Sequence, residues 1–214
     1  MRRTIIPGAT LLAGLCATSL IASPPASEWE IGPVIRGEVY SRGMPASPTP
    51  ARTGWSFDFP YASAAAGHVH YVTFDPGSLS GKSSLVVRYR VDAPRTVRFV
   101  PRENPGDTAT VSLVLQRGGD NWSARGRYEF YRWYAPPASV QPLGVGVHEM
   151  TVSLGDPAWV SVLGRPASAN PRAFREALAD TGRLGLVFGS AGARGHGVFA
   201  TGPARFTLLS FDVI

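Results

Sequence analysis

The sequence predicts an all-β protein, a single antiparallel β-sandwich of the jelly-roll type with one short helix. The chain has 214 residues, of which 24 are Gly and 19 are Pro, and such frequent turn residues favour short strands over long helices. About ten segments alternate between apolar and polar residues, which is the period of a half-buried strand. Neither strand–helix–strand alternation nor a fixed repeat occurs, which argues against parallel sheets, propellers and solenoids. A jelly roll accommodates strands of this kind in a chain of this length.

Residues 1–22 have the layout of a secretory signal peptide. Arg2 and Arg3 precede an apolar run from 5 to 22 that offers small residues near its end, as in signal peptides that are removed on export. Proline and glycine interrupt the run, and it is too short for a membrane span. We therefore expect an exported protein of bacterial type, periplasmic or extracellular, with no transmembrane span after cleavage.

The expected cleavage site defines the domain organisation. We place cleavage after Ala22, with Ala26 as the alternative, so that residues 23–28 form a short linker and residues 29–214 form a single domain. Cys16 is the one cysteine of the chain and belongs to the removed segment. An exported domain without disulfides must be stabilised by its core, which a chain of this size is able to form.

The charge of the chain does not indicate a polyanionic partner. The formal net charge is +6, but the basic residues are scattered along the sequence. Nucleic-acid binding requires them to cluster in a patch or a stripe. Lys82 is the one lysine among many arginines, a bias that reflects genome base composition rather than ligand choice. We predict no nucleic-acid partner.

Period-two alternation places most of the elements. Strands are predicted over 55–59, 68–74, 84–92, 108–116, 147–154, 184–188, 196–200 and 205–213, with weaker segments over 29–40 and 97–100. One helix is predicted over about 170–180, with Asn170 as its N-cap, Pro171 as its first residue and Gly182 closing it. Trp55 and Trp159 stand in apolar runs and are predicted to lie in the core.

Aromatic residues and arginines are concentrated between Gly119 and Pro137. If this stretch is one strand, Tyr128, Phe130, Arg132 and Tyr134 share one face, and Arg127, Glu129, Tyr131 and Trp133 share the other. The first face is explained as core. The second combines aromatic rings with charged groups, which favours a wet groove with stacking platforms for a ligand. The predicted ligand-binding residues are Trp122, Arg127, Glu129, Tyr131 and Trp133, with Trp122 as a rim residue or a lid.

No sequence motif fixes a reaction. If the protein is an enzyme, the candidate catalytic residues are Glu129, Tyr131 and His148, which could transfer protons or neutralise charge. His148 and Glu149 do not form a dyad, because neighbours on a strand point to opposite faces. The glycine-dense segment 189–197 is interpreted as a hairpin loop rather than a phosphate cradle, since a strand follows it.

A metal site is a weaker alternative. His68 and His70 are two residues apart on a predicted strand and therefore face the same way, as two zinc ligands can. A third ligand is required, and Asp58 or Asp75 are the unplaced candidates. The competing interpretation is a half-buried polar pair on a sheet face. No cofactor is otherwise predicted.

The strand SLVVRYRVD, the aromatic middle of the chain and the closing strand RFTLLSFDV together resemble the galactose-binding-like jelly rolls, which include many carbohydrate-binding modules. The resemblance covers residues 29–214. It implies a two-sheet sandwich that binds ligands on a concave face or at loop tips. It also implies a structural calcium between the first and last strands, for which Glu38 and Asp212 match by position.

Three functions are compatible with these observations. The first is an exported, non-catalytic β-sandwich that binds a polysaccharide or glycan through the aromatic groove. The second is a jelly-roll polysaccharide lyase or glycosidase. The third is a structural or protein-binding envelope protein without a small ligand, whose aromatic residues are simply core. The exposure of Trp133 separates the first function from the third, since full burial favours the third.

Overall fold

A computed structural model describes residues 23–61 and 65–214 of the chain. The strands are β1 (Glu30–Gly32), β2 (Val34–Ile35), β3 (Glu38–Val39), β4 (Thr49–Pro50), β5 (Trp55–Asp58), β6 (Tyr71–Phe74), β7 (Ser84–Asp92), β8 (Phe99–Pro101), β9 (Thr110–Arg117), β10 (Arg132–Tyr134), β11 (Gln141–Pro142), β12 (Gly146–Ser153), β13 (Val160–Ser161), β14 (Thr181–Gly189), β15 (Val198–Ala200) and β16 (Arg205–Val213). One α-helix, α1, spans Pro171–Ala179. Short 3₁₀ turns cover Ala26–Glu28, Gly126–Phe130 and Pro137–Ser139.

The strands form two main sheets with jelly-roll topology. Sheet A has five strands in the order β12-β7-β16-β5-β4, and sheet B has seven, in the order β1-β6-β14-β9-β10-β13 with β11 also paired to β9. Every strand pair in the described part of the chain is antiparallel. Strands β12, β7, β16 and β5 of sheet A interleave in sequence with β6, β14, β9 and β10 of sheet B, which is the arrangement of two Greek keys in a jelly roll. The predicted fold class is confirmed.

The core lies between the two sheets and is rich in aromatic rings. Along β7, every second residue from Leu85 to Val91 is fully buried and the residues between them face outward. Phe57 and Phe206 stack across β5 and β16 with ring centroids 5.2 Å apart. Trp55 and Trp159 are fully buried, so their predicted place in the core is confirmed.

Helix α1 agrees with its predicted position, but its ends differ in detail. Asn170 precedes the helix, yet its side-chain amide donates to the carbonyl of Pro166 instead of capping α1. Gly182 lies in β14 rather than at the helix end, and Asp180 is the residue that follows the last turn. Phe174 anchors the helix to the core, with its ring 4.9 Å from that of Trp133.

Residues 23–28, expected as a linker, are part of the sandwich. The Ser23 hydroxyl donates to the carbonyl of Phe211 and accepts from its amide. The indole of Trp29 donates to the carbonyl of Pro24 at 3.2 Å, and Ala26 is buried in the core. The predicted signal peptide, residues 1–22, lies outside the described residues. Among those that are described, no helix has the length and apolar character needed to cross a membrane.

Candidate functional site

The aromatic stretch from Gly119 to Pro137 is not one strand. The prediction that it has one face towards the core and one face towards a ligand along its whole length is therefore wrong. A loop and a 3₁₀ turn occupy most of it, and pairing resumes only at β10. The Asp120 side chain accepts a hydrogen bond from the backbone amide of Trp122, and the Asn121 side chain accepts one from that of Ser123, each at 3.0 Å. Such local bonds to Asp and Asn side chains stabilise turns at the expense of strand pairing.

Most of the predicted ligand-binding residues do not share a groove. Trp133 is fully buried, and its indole donates to the carbonyl of Phe130 at 2.7 Å. Tyr131 is half-buried beside the guanidinium of Arg117, which lies 5.0 Å from its ring centroid. Arg127 is exposed on the 3₁₀ turn that also carries Glu129. A buried ring offers no face to a ligand, so Trp133 belongs to the core in this structure.

Of the predicted ligand-binding residues, Trp122 lines a cleft. We name it the Trp122 cleft. It has a volume of about 500 Å³ and opens on the outer face of sheet B between the β2–β3 hairpin and the loop 118–122. Its lining includes Arg36, Gln116, Arg117, Asn121, Trp122 and Arg183. A smaller recess of about 30 Å³ adjoins it and adds Glu30, Tyr71 and Thr73.

Strand register brings these polar side chains onto one face of the sheet, in two neighbouring rows. Glu30 pairs with Thr73 across β1 and β6, and Arg183 pairs with Gln116 across β14 and β9. Gln116 pairs in turn with Arg132 on β10. Alternate positions of the same strands are core residues, so both rows face away from the core. The sheet is therefore a rigid floor for the cleft.

A buried carboxylate holds Trp122 in place. The Asp120 side chain is fully buried, and its Oδ2 atom lies 2.9 Å from Nε of Arg132. This contact is an ion pair without hydrogen-bond alignment, because the Arg132 Nε–H has no acceptor in line with it. Asp120 also accepts hydrogen bonds from the side-chain amide of Gln116 and from the backbone amide of Trp122. Three partners thus fix one carboxylate beneath the loop.

Arg132 completes the support of the indole ring. Its guanidinium lies 4.7 Å from the Trp122 ring centroid, and its Nη2 donates to the Trp122 carbonyl at 3.2 Å. Trp122 has a φ of 64°, a left-handed conformation that is strained for a bulky residue. The hydrogen bonds that Asp120 and Arg132 form with the Trp122 backbone stabilise this conformation. The ring is consequently held in one orientation at the mouth of the cleft.

The charges around the cleft largely neutralise one another. Arg183 forms an ion pair with Glu30 at 2.9 Å. Arg117 forms ion pairs with Glu176 at 3.0 Å and Asp180 at 3.2 Å. Arg132 is neutralised by Asp120, whereas Arg36 has no carboxylate partner among the described residues and stands exposed on its hairpin. The cleft therefore offers many hydrogen-bonding groups but little net charge.

Two tyrosines form the floor beside Trp122. The hydroxyls of Tyr71 and Tyr134 are 2.8 Å apart, and the Tyr71 ring meets Trp122 edge-on with centroids 5.4 Å apart. Burial raises the pKa of Tyr71 well above its usual value, because an anion without water is costly. Tyr71 remains a neutral phenol at physiological pH and acts as structural support.

The predicted catalytic residues are not brought together. His148 lies on β12 of sheet A, stacked on Tyr89 at 5.0 Å, with its Nε2 atom 2.9 Å from the carbonyl oxygen of Gly144. Glu149 points to the opposite face of β12 and lies 3.5 Å from Arg88. Glu129 and Tyr131 belong to the segment that leads into sheet B. Their catalytic roles stay predictions.

Two of the predicted metal-ligating residues, Glu38 and Asp58, have other partners in this structure. Glu38 lies on the exposed β2–β3 hairpin and pairs with Arg42 at 2.9 Å, whereas Asp212 is on β16 of sheet A. Asp58, a candidate third zinc ligand, forms two hydrogen bonds with Arg205. Within residues 23–61 and 65–214, no group of three or more His, Cys, Asp or Glu side chains is placed to hold a metal.

His68 and His70 share one side of the chain, as predicted, but they are buried. Their ring centroids are 4.6 Å apart. Nδ1 of His70 lies 2.6 Å from the carbonyl oxygen of Gly195 and therefore carries the proton as a donor. Its Nε2 is buried without a partner. This arrangement suits the neutral imidazole.

We expect His70 to make stability depend on pH. Burial, with the nearby charges of His68, Arg102 and His196, lowers the pKa of His70 to about 4, whereas an unfolded histidine titrates near 6.5. Between those values the unfolded state binds the extra proton, so the free energy of unfolding falls as the pH falls from about 6.5 to about 4. The expected loss is up to about 3 kcal/mol.

Urea denaturation between pH 4 and 7 measures this loss, and proton NMR of the His70 ring follows its titration directly. The control is His148→Gln, which alters a histidine on sheet A that is not among the groups acting on His70. This control variant should show the same decrease in the free energy of unfolding as the pH falls. A His70 ring that titrates near pH 6.5 in the folded protein would contradict the prediction.

The fold and the cleft define a jelly-roll β-sandwich with a polar, tryptophan-lined cleft on the outer face of its larger sheet. Comparison with protein-family models and with curated proteins finds no match for this chain.

Several residues of the cleft were not identified from the sequence. Glu30, Gln116 and Arg183 belong to strands far apart in the chain, and only the sheet register brings them together. Asp120 and Asn121, directly before Trp122, are the local signal that was available, since such residues favour turns. They indicate that Trp122 projects from a loop.

Proposed function

We propose that this chain is an exported, non-catalytic jelly-roll protein that binds carbohydrate in the Trp122 cleft. The observation that carries the proposal is the fixed indole ring of Trp122 beside planar hydrogen-bonding groups on the outer face of sheet B. Kinship with galactose-binding-like jelly rolls and export by the predicted signal peptide belong to the same proposal. The confirmed sandwich fold is compatible with both.

The chemistry of the cleft suits a sugar. An aromatic ring packs against the C–H face of a pyranose, and amide, guanidinium and carboxylate groups bond its hydroxyls in their own plane. Asn121 and Gln116 supply amides, and the Arg183–Glu30 pair supplies a donor and an acceptor side by side. The volume of about 500 Å³ lies within the range of roughly 300–1,000 Å³ that small-molecule sites occupy. The support of Trp122 by Arg132 reduces the ordering that binding would require.

The charge balance favours a neutral sugar over a polyanion. Three of the arginines in or under the cleft, Arg117, Arg132 and Arg183, already have carboxylate partners. An anionic ligand would have to compete with those carboxylates, whereas hydroxyls can bond to the groups that remain unused. We therefore expect neutral polysaccharides to bind better than acidic ones in this cleft.

Trp122→Ala is expected to weaken retention on a bound neutral polysaccharide at least tenfold, since burial of an aromatic face contributes about 1.5–3 kcal/mol. Affinity electrophoresis across a panel of galactomannan, xylan and β-glucan measures retention. Reducing ends and near-ultraviolet absorbance of unsaturated products are followed in the same samples, with and without calcium. Trp122→Phe, which keeps a ring, should retain part of the binding.

A matched control tests whether any exposed aromatic ring matters. Tyr61 is 57% exposed and lines another pocket of about 510 Å³. Tyr61→Ala should leave retention unchanged. Retention that survives Trp122→Ala but not Tyr61→Ala would move the site to that pocket and overturn the proposal.

A structural or protein-binding role is the second candidate, and the full burial of Trp133 favours it. The β2–β3 hairpin and the residue after it also expose apolar side chains, with Val34 48%, Val39 42% and Tyr40 40% exposed. Absence of both binding and turnover across the panel would support this role. Turnover would instead support the lyase or glycosidase account and direct attention to Glu129, Tyr131 and His148.

A further inference from the structure

A second pocket lies on the outer face of sheet B, beyond the tyrosine pair. It has a volume of about 280 Å³, and its lining includes Tyr134, Ser161, Gly192, Arg194 and His196. We name it the Arg194 pocket. The loop over residues 190–197 forms one wall, and the ends of β10 and β13 form the other.

The loop is held close to the sheet by its glycines. Gly195 has a φ of 81°, and a Cβ atom there would lie 2.2 Å from the hydroxyl of Tyr71. Inside the loop, the amide of Ala193 donates to Ser190 at 3.1 Å, and the amide of His196 donates to Ala193 at 3.3 Å. These turns fix the direction in which Arg194 leaves the backbone.

Arg194 differs from the other partly buried arginines of this face, and from the exposed Arg36 in being partly buried. Its Nη1 donates to the carbonyl of Ala135, and its guanidinium lies 5.7 Å from the ring centroid of Tyr134. Arg117, Arg132 and Arg183 each have a carboxylate partner, but no carboxylate lies within ion-pair distance of Arg194 in the described part of the chain. Burial lowers the pKa of Arg194, because its charge is partly removed from water without a counter-charge.

The surroundings of Arg194 are otherwise suited to an anion. The backbone amides of Gly192 and Arg194 donate to no acceptor among residues 23–61 and 65–214. They flank the amide of Ala193, which is bonded to Ser190, and exposed backbone amides in turns are a common feature of anion-binding loops. His196, on the rim, is 3.3 Å from Glu103, so Arg194 is the uncompensated positive charge of the pocket.

We propose that the Arg194 pocket binds an oxyanion group, a carboxylate or a sulfate, through the free edge of the guanidinium and the adjacent amides. A planar guanidinium recognises such groups by paired, charge-assisted hydrogen bonds. The inference does not depend on carbohydrate binding in the Trp122 cleft. The group can be a free small anion or part of a larger acidic molecule such as a uronate chain, and the experiment separates these sources.

The test is a titration of ¹⁵N-labelled protein with sodium sulfate and with sodium acetate, at ionic strength held constant with chloride. Saturating chemical-shift changes are expected at the amides of Gly192 and Arg194. Arg194→Gln should weaken the binding about tenfold or more, because the charge-assisted pair is lost. Arg194→Lys keeps the charge without the planar fork and should weaken it several-fold.

Arg165→Gln is the matched control. Arg165 is an exposed arginine just outside the pocket, with its backbone amide bonded to the hydroxyl of Ser161. This variant should titrate like the unmodified protein. Shift changes that do not saturate, that spread over the surface, or that persist in Arg194→Gln would overturn the proposal. If Arg194→Gln does not fold, an Arg194→Lys variant with undiminished affinity overturns it equally.

A third arm identifies the source of the anion. Galacturonate oligomers are added in the same way. If they shift the resonances of the same two amides and bind more tightly per carboxylate than acetate, the anion is part of a polymer. Equal affinity per carboxylate supports a free small anion. The remaining outcome is that the oligomers shift only resonances of the Trp122 cleft, with acetate and sulfate having no effect at Gly192. This result would place anion binding elsewhere and overturn the assignment of this pocket.

Discussion

Asp120→Ala is expected to lower the free energy of unfolding by about 3–5 kcal/mol. The substitution leaves the nearly buried guanidinium of Arg132 without its counter-charge. It also removes the acceptor of the Gln116 side-chain amide and of the Trp122 backbone amide. An unpaired buried charge costs more than the pair itself contributes, so loss of one partner is the damaging change. Urea denaturation followed by circular dichroism measures the loss.

Asp75→Ala provides the matched control for this change. Asp75 accepts the backbone amide of Gly77 at 2.9 Å in an exposed turn, the same local bond without a buried ion pair. Its loss should cost less than about 1 kcal/mol. The double substitution Asp120→Ala with Arg132→Met should recover part of the stability, because no orphaned charge remains. An Asp120→Ala variant as stable as Asp75→Ala would show that Arg132 is solvated rather than buried.

The same substitution connects the stability of the loop to binding. Trp122 is held at a positive φ by contacts with Asp120 and Arg132. Under conditions in which Asp120→Ala remains folded, the indole ring loses this support and must be ordered by the ligand. Retention on polysaccharide should therefore weaken even though the substituted side chain is fully buried and does not reach the sugar.

The sheet architecture could be predicted from the sequence because its signals are local. Strands such as β7 and β16 alternate between core and solvent, and this period is visible in any short window of residues. The short helix was recognised from Asn170, Pro171 and Gly182, although Asn170 does not cap it and Gly182 lies in β14. Length and strand count favoured a jelly roll once parallel units were excluded, but the order of the strands in the two sheets was not predicted.

The sidedness of the aromatic stretch could not be predicted in the same way. Within β10 the alternation is real, but Trp133 faces the core, and Arg132 and Tyr134 face outward beneath the loops. The prediction had these two faces exchanged. Alternation defines two faces without stating which one is inside, and an error of one residue inverts every side chain. The outer face of β10 is also buried, so composition did not reveal the difference.

The cleft itself depends on long-range pairing that no local pattern contains. Glu30 meets Arg183 across β1, β6 and β14, three strands that are distant in the chain. The turn at Asp120 is decided by side-chain bonds to the backbone that compete with strand formation. A continuous strand through this region would have placed Trp122 in a sheet, whereas the loop places it over one.

Trp133→Ala is expected to lower the free energy of unfolding by about 3–5 kcal/mol, because a fully buried indole is replaced by a cavity. The ring packs against Phe174 of α1 at 4.9 Å and against Phe130 at 6.0 Å. Its N–H also donates to the carbonyl of Phe130. A ring in an open groove would instead give a change of a few tenths of a kcal/mol, typical of surface substitutions. Urea denaturation by circular dichroism separates these outcomes.

Comparing the stability and the polysaccharide retention of Trp133→Ala and Trp122→Ala tests whether the two rings lie on opposite sides of sheet B. We expect Trp133→Ala to lose stability but to retain polysaccharide at temperatures where it is folded. Trp122→Ala should lose retention and no more than about 1–2 kcal/mol of stability, since its ring is only partly buried. The reverse result, a stable Trp133→Ala variant that no longer binds, would mean that β10 presents Trp133 to the ligand and that its register is inverted. Because the two residues lie eleven positions apart on one continuous segment, the pair tests both the fold of that segment and the location of the site.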